Sequence, residues 1–245
     1  MRLQSSYVEW FSMQPFILFD QIHWYTLIFT YGVITILTLW IKSQSKENIK
    51  YARFSVGVLL LTHAFMQIFN AYSYQLAWQE ALPLHMCDFS KIAIALYLLG
   101  YGTRFFHCAF FWGIIPASMA LFTPALKYTF PHPEYVNFYY GHGLILLGIA
   151  LAIFVSNERP YFKDFVFVLG ITVLLTLIIY IINLILGSEA NFWYLMDKPK
   201  GDTIMNLFPD APLHVFVLVP TAIFAFFLTY LPFLIKDNLL TKKDN

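Results

Sequence analysis

Two thiols and seven imidazoles make up the nucleophiles and bases that could do covalent chemistry in this chain. Cys87 is the stronger thiol. It follows Leu82-Pro83-Leu84-His85-Met86, and Pro83 suits a helix first turn, which puts Cys87 within about one turn of a helix start. Positive partial charge at a helix start favours a thiolate. Lys91, four residues on, shares the face of Cys87 and would favour it further. His85, two residues before the thiol, cannot share that face in a regular helix. The partner base is therefore expected from another element, either His142 or His214. A Cys with a His in hydrogen-bond reach is the minimal apparatus for a covalent acyl intermediate, although a buried cysteine is also often inert. Zinc is the rival reading, with ligands from His85, Asp88, His142 and His214, and Cys87 as a fifth candidate. No His-x-x-x-His or His-Glu-x-x-His pair supports it, and one cysteine cannot be both ligand and nucleophile.

The elements that must position these residues are membrane helices. Apolar residues make up 59% of the 245, against roughly 45–50% in soluble domains, and only 12% are charged. Seven spans of about 20 residues would use most of that apolar content. The balance excludes a soluble enzyme, a disulfide scaffold and a disordered chain. A net charge of +1 gives no field for nucleic acid. The expectation is an all-α, polytopic membrane helix bundle forming one domain over residues 1–245. Its spans are expected near 24–41, 54–73, 83–101, 104–123, 139–156, 165–187 and 213–235. Residues 188–212 form the one long loop, and the first 23 residues do not read as a cleaved signal peptide.

Basic residues orient the bundle. Lys42, Lys46, Lys50, Arg53, Arg104, Arg159, Lys163, Lys236, Lys242 and Lys243 fall in one set of alternate loops. The other set holds only Arg2, Lys127, Lys198 and Lys200. The positive-inside rule then places the N-terminus outside and the C-terminus in the cytoplasm. In that frame the unusual polar residues collect in the outer half of the bilayer: His63, Gln67 and Asn70 on one helix face; His85, Cys87, Asp88 and Lys91; His142; Asn183 and Asn191; and His214. Asp88 and Lys91, at i and i+3, can also simply neutralise each other. His23, His107 and His132 read as interfacial or interhelical hydrogen-bonding residues. The convergence reads as one site, with Asp88, Lys91, His63, Gln67, Asn70, Asn183, Asn191 and His214 binding substrate or supporting it.

The run Leu82-Pro83-Leu84-His85-Met86-Cys87-Asp88 resembles the Leu-Pro-Leu-His-x-Cys segment of the YwaF-type bacterial membrane proteins. Ordered matches follow at Phe111-Trp112-Gly113, Thr123-Pro124, Phe130-Pro131-His132 and Gly141-His142-Gly143-Leu144-Ile145. Asn183, Asn191-Phe192, Tyr194-Leu195 and Lys198-Pro199 complete the set. The chain departs before the last span, where Phe208-Pro209-Asp210-Ala211-Pro212 stands in place of a Gly-Pro-Trp-Pro-Trp run. Eukaryotic relatives of that family look like phospholipid acyltransferases acting through a cysteine in this segment. The resemblance implies a multi-pass protein of the bacterial cytoplasmic membrane, with phospholipid or lysophospholipid as substrate and no cofactor. It makes Cys87 the acyl-accepting nucleophile, His142 the base, and His85 an orienting residue or oxyanion donor. Acyl transfer and hydrolysis differ only in the acceptor. A zinc-dependent lipid hydrolase or amidase, and a small-solute transporter or receptor, are the alternatives.

Overall fold

Asp20 starts the bundle. Its Oδ1 accepts the backbone N–H of His23 at 2.7 Å and caps helix α1, Gln21–Lys42. Six more α-helices follow in the computed structural model, which describes residues 14–73, 77–79, 82–199 and 203–241. They are α2 (Lys46–Ser73), α3 (Met86–Leu98), α4 (Thr103–Phe122), α5 (Pro133–Ala150), α6 (Phe162–Leu186) and α7 (His214–Thr241). A π-helical turn, Leu151–Val155, extends α5, and two short 3₁₀ turns, Phe192–Tyr194 and Ile204–Leu207, lie between α6 and α7. The described residues contain no strand, only an isolated bridge between Pro15 and Tyr128. The charged residues Arg2, Lys200, Lys242 and Lys243 lie outside the described ones, as do the side chains at 67, 68, 70–73, 240 and 241.

Among the described residues five helices are long and apolar enough to cross a membrane: α1, α4, α5 with its π turn, α6 and α7. They turn much apolar surface outward: Phe29, Ile36, Leu177, Ile185, Phe216 and Phe224 are all exposed. In water such a surface would be unstable; against acyl chains it is the ordinary condition of a lipid-facing helix. The chain is a membrane protein with multiple apolar helices.

The third element departs from expectation. A span over 83–101 was anticipated, but α3 has 13 residues, a length of about 20 Å against the roughly 30 Å of a bilayer core. Pro83 lies outside the helix rather than in its first turn. The helix starts at Met86 because the Asp88 carboxylate turns back to accept the His85 N–H at 3.2 Å, closing half of a capping box. It stops at Leu98 because Gly100 and Gly102 adopt φ of +97° and +119°, where a side chain would be strained. Since α4 begins directly after this turn and runs 20 residues, the start of α3 lies about 10 Å short of the far end of α4. The start of α3 is therefore inside the bundle.

Helix α3 is also the hub. It packs on α2, α4 and α5, while α1 packs on α5, and α6 and α7 pack on α4. Its buried residues run from Asp88 to Leu98. Gly113 lets α4 approach: a Cβ there would lie 2.5 Å from Ile149 Cδ1 and 2.6 Å from Ser90 Oγ. The basic residues Lys46, Arg53 and Arg159 gather at the end of the bundle where α3 stops. There Tyr97 donates to Glu158 at 3.0 Å and Arg159 donates to Asp237 at 2.5 Å.

Candidate active site

Cys87 is the second residue of α3, one turn nearer the helix start than Pro83 alone implied. It is free and part-buried. First-turn N–H groups have no partner within their helix, so the sulfur sits where the backbone is most positive.

Asp88 and Lys91 pair with each other. Lys91 Nζ lies 3.1 Å from Asp88 Oδ1, with both side chains 3% exposed. Lys91 was expected to favour a thiolate; in the structure its charge is answered by Asp88. The pair therefore neutralises itself inside the membrane, as a buried charge must. Asp88 also caps α3, so both residues fix the helix that carries the thiol. Cys87, His63 and His142 all lie within electrostatic range of this pair.

Three imidazoles share a pattern. His142 Nδ1 is 2.8 Å from the Phe138 carbonyl, His63 Nε2 is 3.2 Å from that of Asn137, and His214 Nε2 is 2.8 Å from that of Tyr194. A carbonyl oxygen only accepts, so the facing nitrogen carries the proton in each ring. The second nitrogen of each neutral ring is then a bare base. For His63 and His214 that nitrogen, Nδ1, is buried with no partner among the described residues. Gly141 makes room for His63: a Cβ there would fall 2.3 Å from His63 Cε1. By contrast His23 uses both nitrogens, accepting from Phe19 N–H at 2.9 Å and meeting the Leu121 carbonyl at 3.0 Å. His107 pairs with Asp164 at 3.3 Å and His132 accepts from Glu134 N–H at 3.3 Å. These three histidines are structural, as their positions suggested.

Asn183 and Asn191 do not face an open site. Asn183, 1% exposed, donates from Nδ2 to the Phe192 carbonyl at 3.0 Å and accepts the Phe192 N–H at 2.9 Å. Asn191 donates to the Asp197 carbonyl at 2.9 Å and accepts the N–H groups of Met196 and Asp197 at 3.1 and 3.2 Å. Both shape the loop between α6 and α7. Gln67 and Asn70 lie on α2, and their side chains fall outside the described ones. The proposed zinc ligands are not brought together. Among the described residues no three of His, Cys, Asp and Glu gather as a metal would require, and His214 Nε2 is already committed to a carbonyl.

Trp193 and Tyr194 join the site through the loop, although neither carries a nucleophile or base that sequence alone would single out. Trp193 Nε1–H donates to the Leu84 carbonyl at 2.9 Å, tying the loop to the strand of chain that leads into α3. The His85 ring is flanked by Phe192 and Tyr194, with centroids 5.1 and 5.9 Å away. Tyr194 lies within electrostatic range of Cys87. Trp193 and Tyr194 adopt φ of +58° and +53°, a left-handed conformation costing roughly 1–2 kcal/mol per residue without glycine. Two consecutive strained aromatics packed on His85, Leu84 and Phe89 form the kind of outlier that clusters at functional sites. The signal in the sequence is the three consecutive aromatics Phe192-Trp193-Tyr194 in a loop.

Comparison with protein families matches residues 18–230 to the TMEM164 family. The chain belongs to the TMEM164 family. Neither curated proteins nor solved structures give a match. The TMEM164-family match covers α1 through most of α7 and includes every candidate residue above. It supports a transmembrane protein and leaves the chemistry to be argued from the site.

Proposed function

We propose that this TMEM164-family chain is a membrane lipid acyltransferase or acyl hydrolase that works through Cys87. The observation that carries the reading is the placement of Cys87: second residue of a helix that starts inside the bundle, its lead-in tied at Leu84 to a strained aromatic loop. The resemblance of the Leu82–Asp88 run to YwaF-type proteins, and through them to phospholipid acyltransferases, supports the same chemistry.

His142 Nε2 takes the thiol proton, directly or across one water, and the thiolate attacks the ester carbonyl carbon of a donor phospholipid. Negative charge on the carbonyl oxygen is held by the first-turn N–H groups of α3. The ester C–O bond breaks, and the leaving lysolipid alkoxide takes the proton from His142, giving a Cys87 thioester. An acceptor hydroxyl then yields its proton to the same nitrogen and attacks the thioester; the C–S bond breaks and the thiolate is regenerated and reprotonated. A lysolipid acceptor makes this a transfer, and water makes it a hydrolysis. His85 orients the entry to α3, and His214 holds the loop at Tyr194. An apolar cavity of about 250 Å³ on α4, lined by Ile114, Ile115, Ser118, Met119, Phe122 and Ile204, would take part of an acyl chain. The orientation that suits this reading has the N-terminus outside and the site in the outer half of a bacterial cytoplasmic membrane.

The test is to incubate purified protein with a phospholipid bearing an alkyne-tagged acyl chain and detect label on the chain. Label that neutral hydroxylamine removes, that is lost in Cys87→Ala and that is strongly reduced in His142→Ala supports the thioester. Full labelling of Cys87→Ala refutes it.

A further inference from the structure

The end of the bundle opposite the thiol holds a second cavity that acyl chemistry does not use. Its volume is about 450 Å³, and its lining includes Lys46, Arg53, Tyr97, Thr103 and Glu158. Two long helices begin at its rim: α2 at Lys46 and α4 at Thr103. Each start contributes roughly half a positive charge. Ser45 Oγ already accepts the Asn48 N–H of α2 and the Gly102 carbonyl the Phe105 N–H of α4, both at 3.3 Å, which leaves the earlier first-turn N–H groups to a ligand. Arg53 lies across the Tyr97 ring, 5.2 Å from its centroid, and its buried Nε has no partner among the described residues. The one acid, Glu158, accepts the Tyr97 hydroxyl at 3.0 Å. Gly100 and Gly102 leave the wall open, since a Cβ on either would meet nothing within 4 Å. Two cations against one carboxylate, with two helix starts in addition, leave the cavity with a positive balance and an unused guanidinium donor.

We propose that this cavity binds a phosphate group, either the headgroup of an anionic phospholipid or free phosphate. Phosphate matches a guanidinium and helix-start N–H groups in both charge and geometry. The cavity sits where the membrane-crossing α4 begins, at headgroup depth, so a lipid can reach it laterally. Arg53 supplies the buried contact, Lys46 the outer charge, and the first turn of α4 the backbone donors.

The experiment titrates the purified full chain with phosphatidic acid in mixed micelles, with phosphatidylcholine, and with inorganic phosphate, reading the melting temperature. Cys87→Ala is carried in parallel, so the result is independent of any acyl chemistry. Expected is a saturable rise with phosphatidic acid, whose half-point moves at least tenfold in Lys46→Glu and in Arg53→Gln but stays put in Lys50→Glu, an exposed neighbour one turn along α2. Lys46 is exposed, so its variant keeps the test valid if Arg53→Gln folds poorly. A matching rise with inorganic phosphate would identify the free anion, and a rise with phosphatidic acid alone the headgroup. Equal losses in Lys46→Glu and Lys50→Glu would reduce the effect to diffuse surface charge and overturn the proposal. So would a flat titration, or phosphatidylcholine and phosphatidic acid acting alike.

Discussion

Asn183→Leu isolates the clamp that holds the aromatic loop down. The side chain is buried and bonds both backbone groups of Phe192, at 2.9 and 3.0 Å. Leucine keeps most of the volume and removes both bonds. The Phe192 N–H then loses its partner inside the protein, which costs about 1–3 kcal/mol. The carbonyl keeps a second, longer bond from Leu195 N–H at 3.4 Å, so its loss is about 1 kcal/mol. Together the closed loop is destabilised by about 2–4 kcal/mol. Trp193 and Tyr194 hold a further 2–4 kcal/mol or so of left-handed strain that opening relieves, so nothing local opposes the shift. At 1.4 kcal/mol per factor of ten, a loss of even 2 kcal/mol raises the open population about thirtyfold. The assay is the rate of Cys87 alkylation by a maleimide, on protein carrying Cys108→Ala so that one thiol reports. Thr172→Val serves as the control, since it removes the 2.8 Å bond that Trp112 Nε1 of α4 donates to Thr172 on α6 and none of the loop's own bonds. A rise of about thirtyfold or more in Asn183→Leu, with none in the control, is expected. A rate within twofold of the parent would refute the idea that the loop covers the thiol.

Three other outcomes follow from the same geometry. Gly141→Ala drives a methyl against His63 and breaks its bond to Asn137, an overpacking loss of about 2–4 kcal/mol visible as a lower melting temperature; His63→Ala in the same chain should recover part of it. Lys91→Met strips Asp88 of its lysine and should cost about 3–5 kcal/mol, whereas adding Asp88→Asn restores most of the stability, because a neutral pair no longer has to be matched; equal losses in the single and double variants would contradict this. Asp210 is fully exposed, and its hydrogen bond from Lys198 at 2.7 Å holds its carboxyl below the usual range. A depressed folded-state value stabilises above the unfolded carboxylate range and is lost as pH falls through the folded value. The hydrogen-exchange protection factor, corrected for the intrinsic rate at each pH, should therefore fall across residues 203–213 on acidification below the ordinary carboxylate range, and Lys198→Met should remove that dependence.

Much of the plan was written in composition and periodicity. The lipid-facing helices are legible because a bilayer demands long apolar runs with every backbone group bonded internally. For that reason five of the seven expected spans coincide with described helices long and apolar enough to cross, whereas those at α2 and the short α3 do not. His23, His107 and His132 each found a partner, for His107 the distant Asp164. Cys87 stood out because a proline and a polar run beside it signalled a helix start. The length of α3 was not legible, because an apolar stretch from 83 to 101 reads the same whether or not its first residues coil. The Asp88–His85 cap and the Trp193–Leu84 bond decide it, and the second of these joins residues 109 apart.

The roles of the polar residues divide along the same line. Sequence alone determined that His63, His142, Asn183 and His214 are too polar to face lipid, a statement about solvent that needs no neighbours. Only the tertiary structure decided which are used up by a partner and which keep a reactive atom. Asn183 is spent on Phe192, Lys91 on Asp88, and one nitrogen of each of these histidines on a carbonyl, while the thiol sits at a helix start. Hydrogen bonds act over about 3 Å, and which groups come that close is fixed by how helices distant in sequence pack.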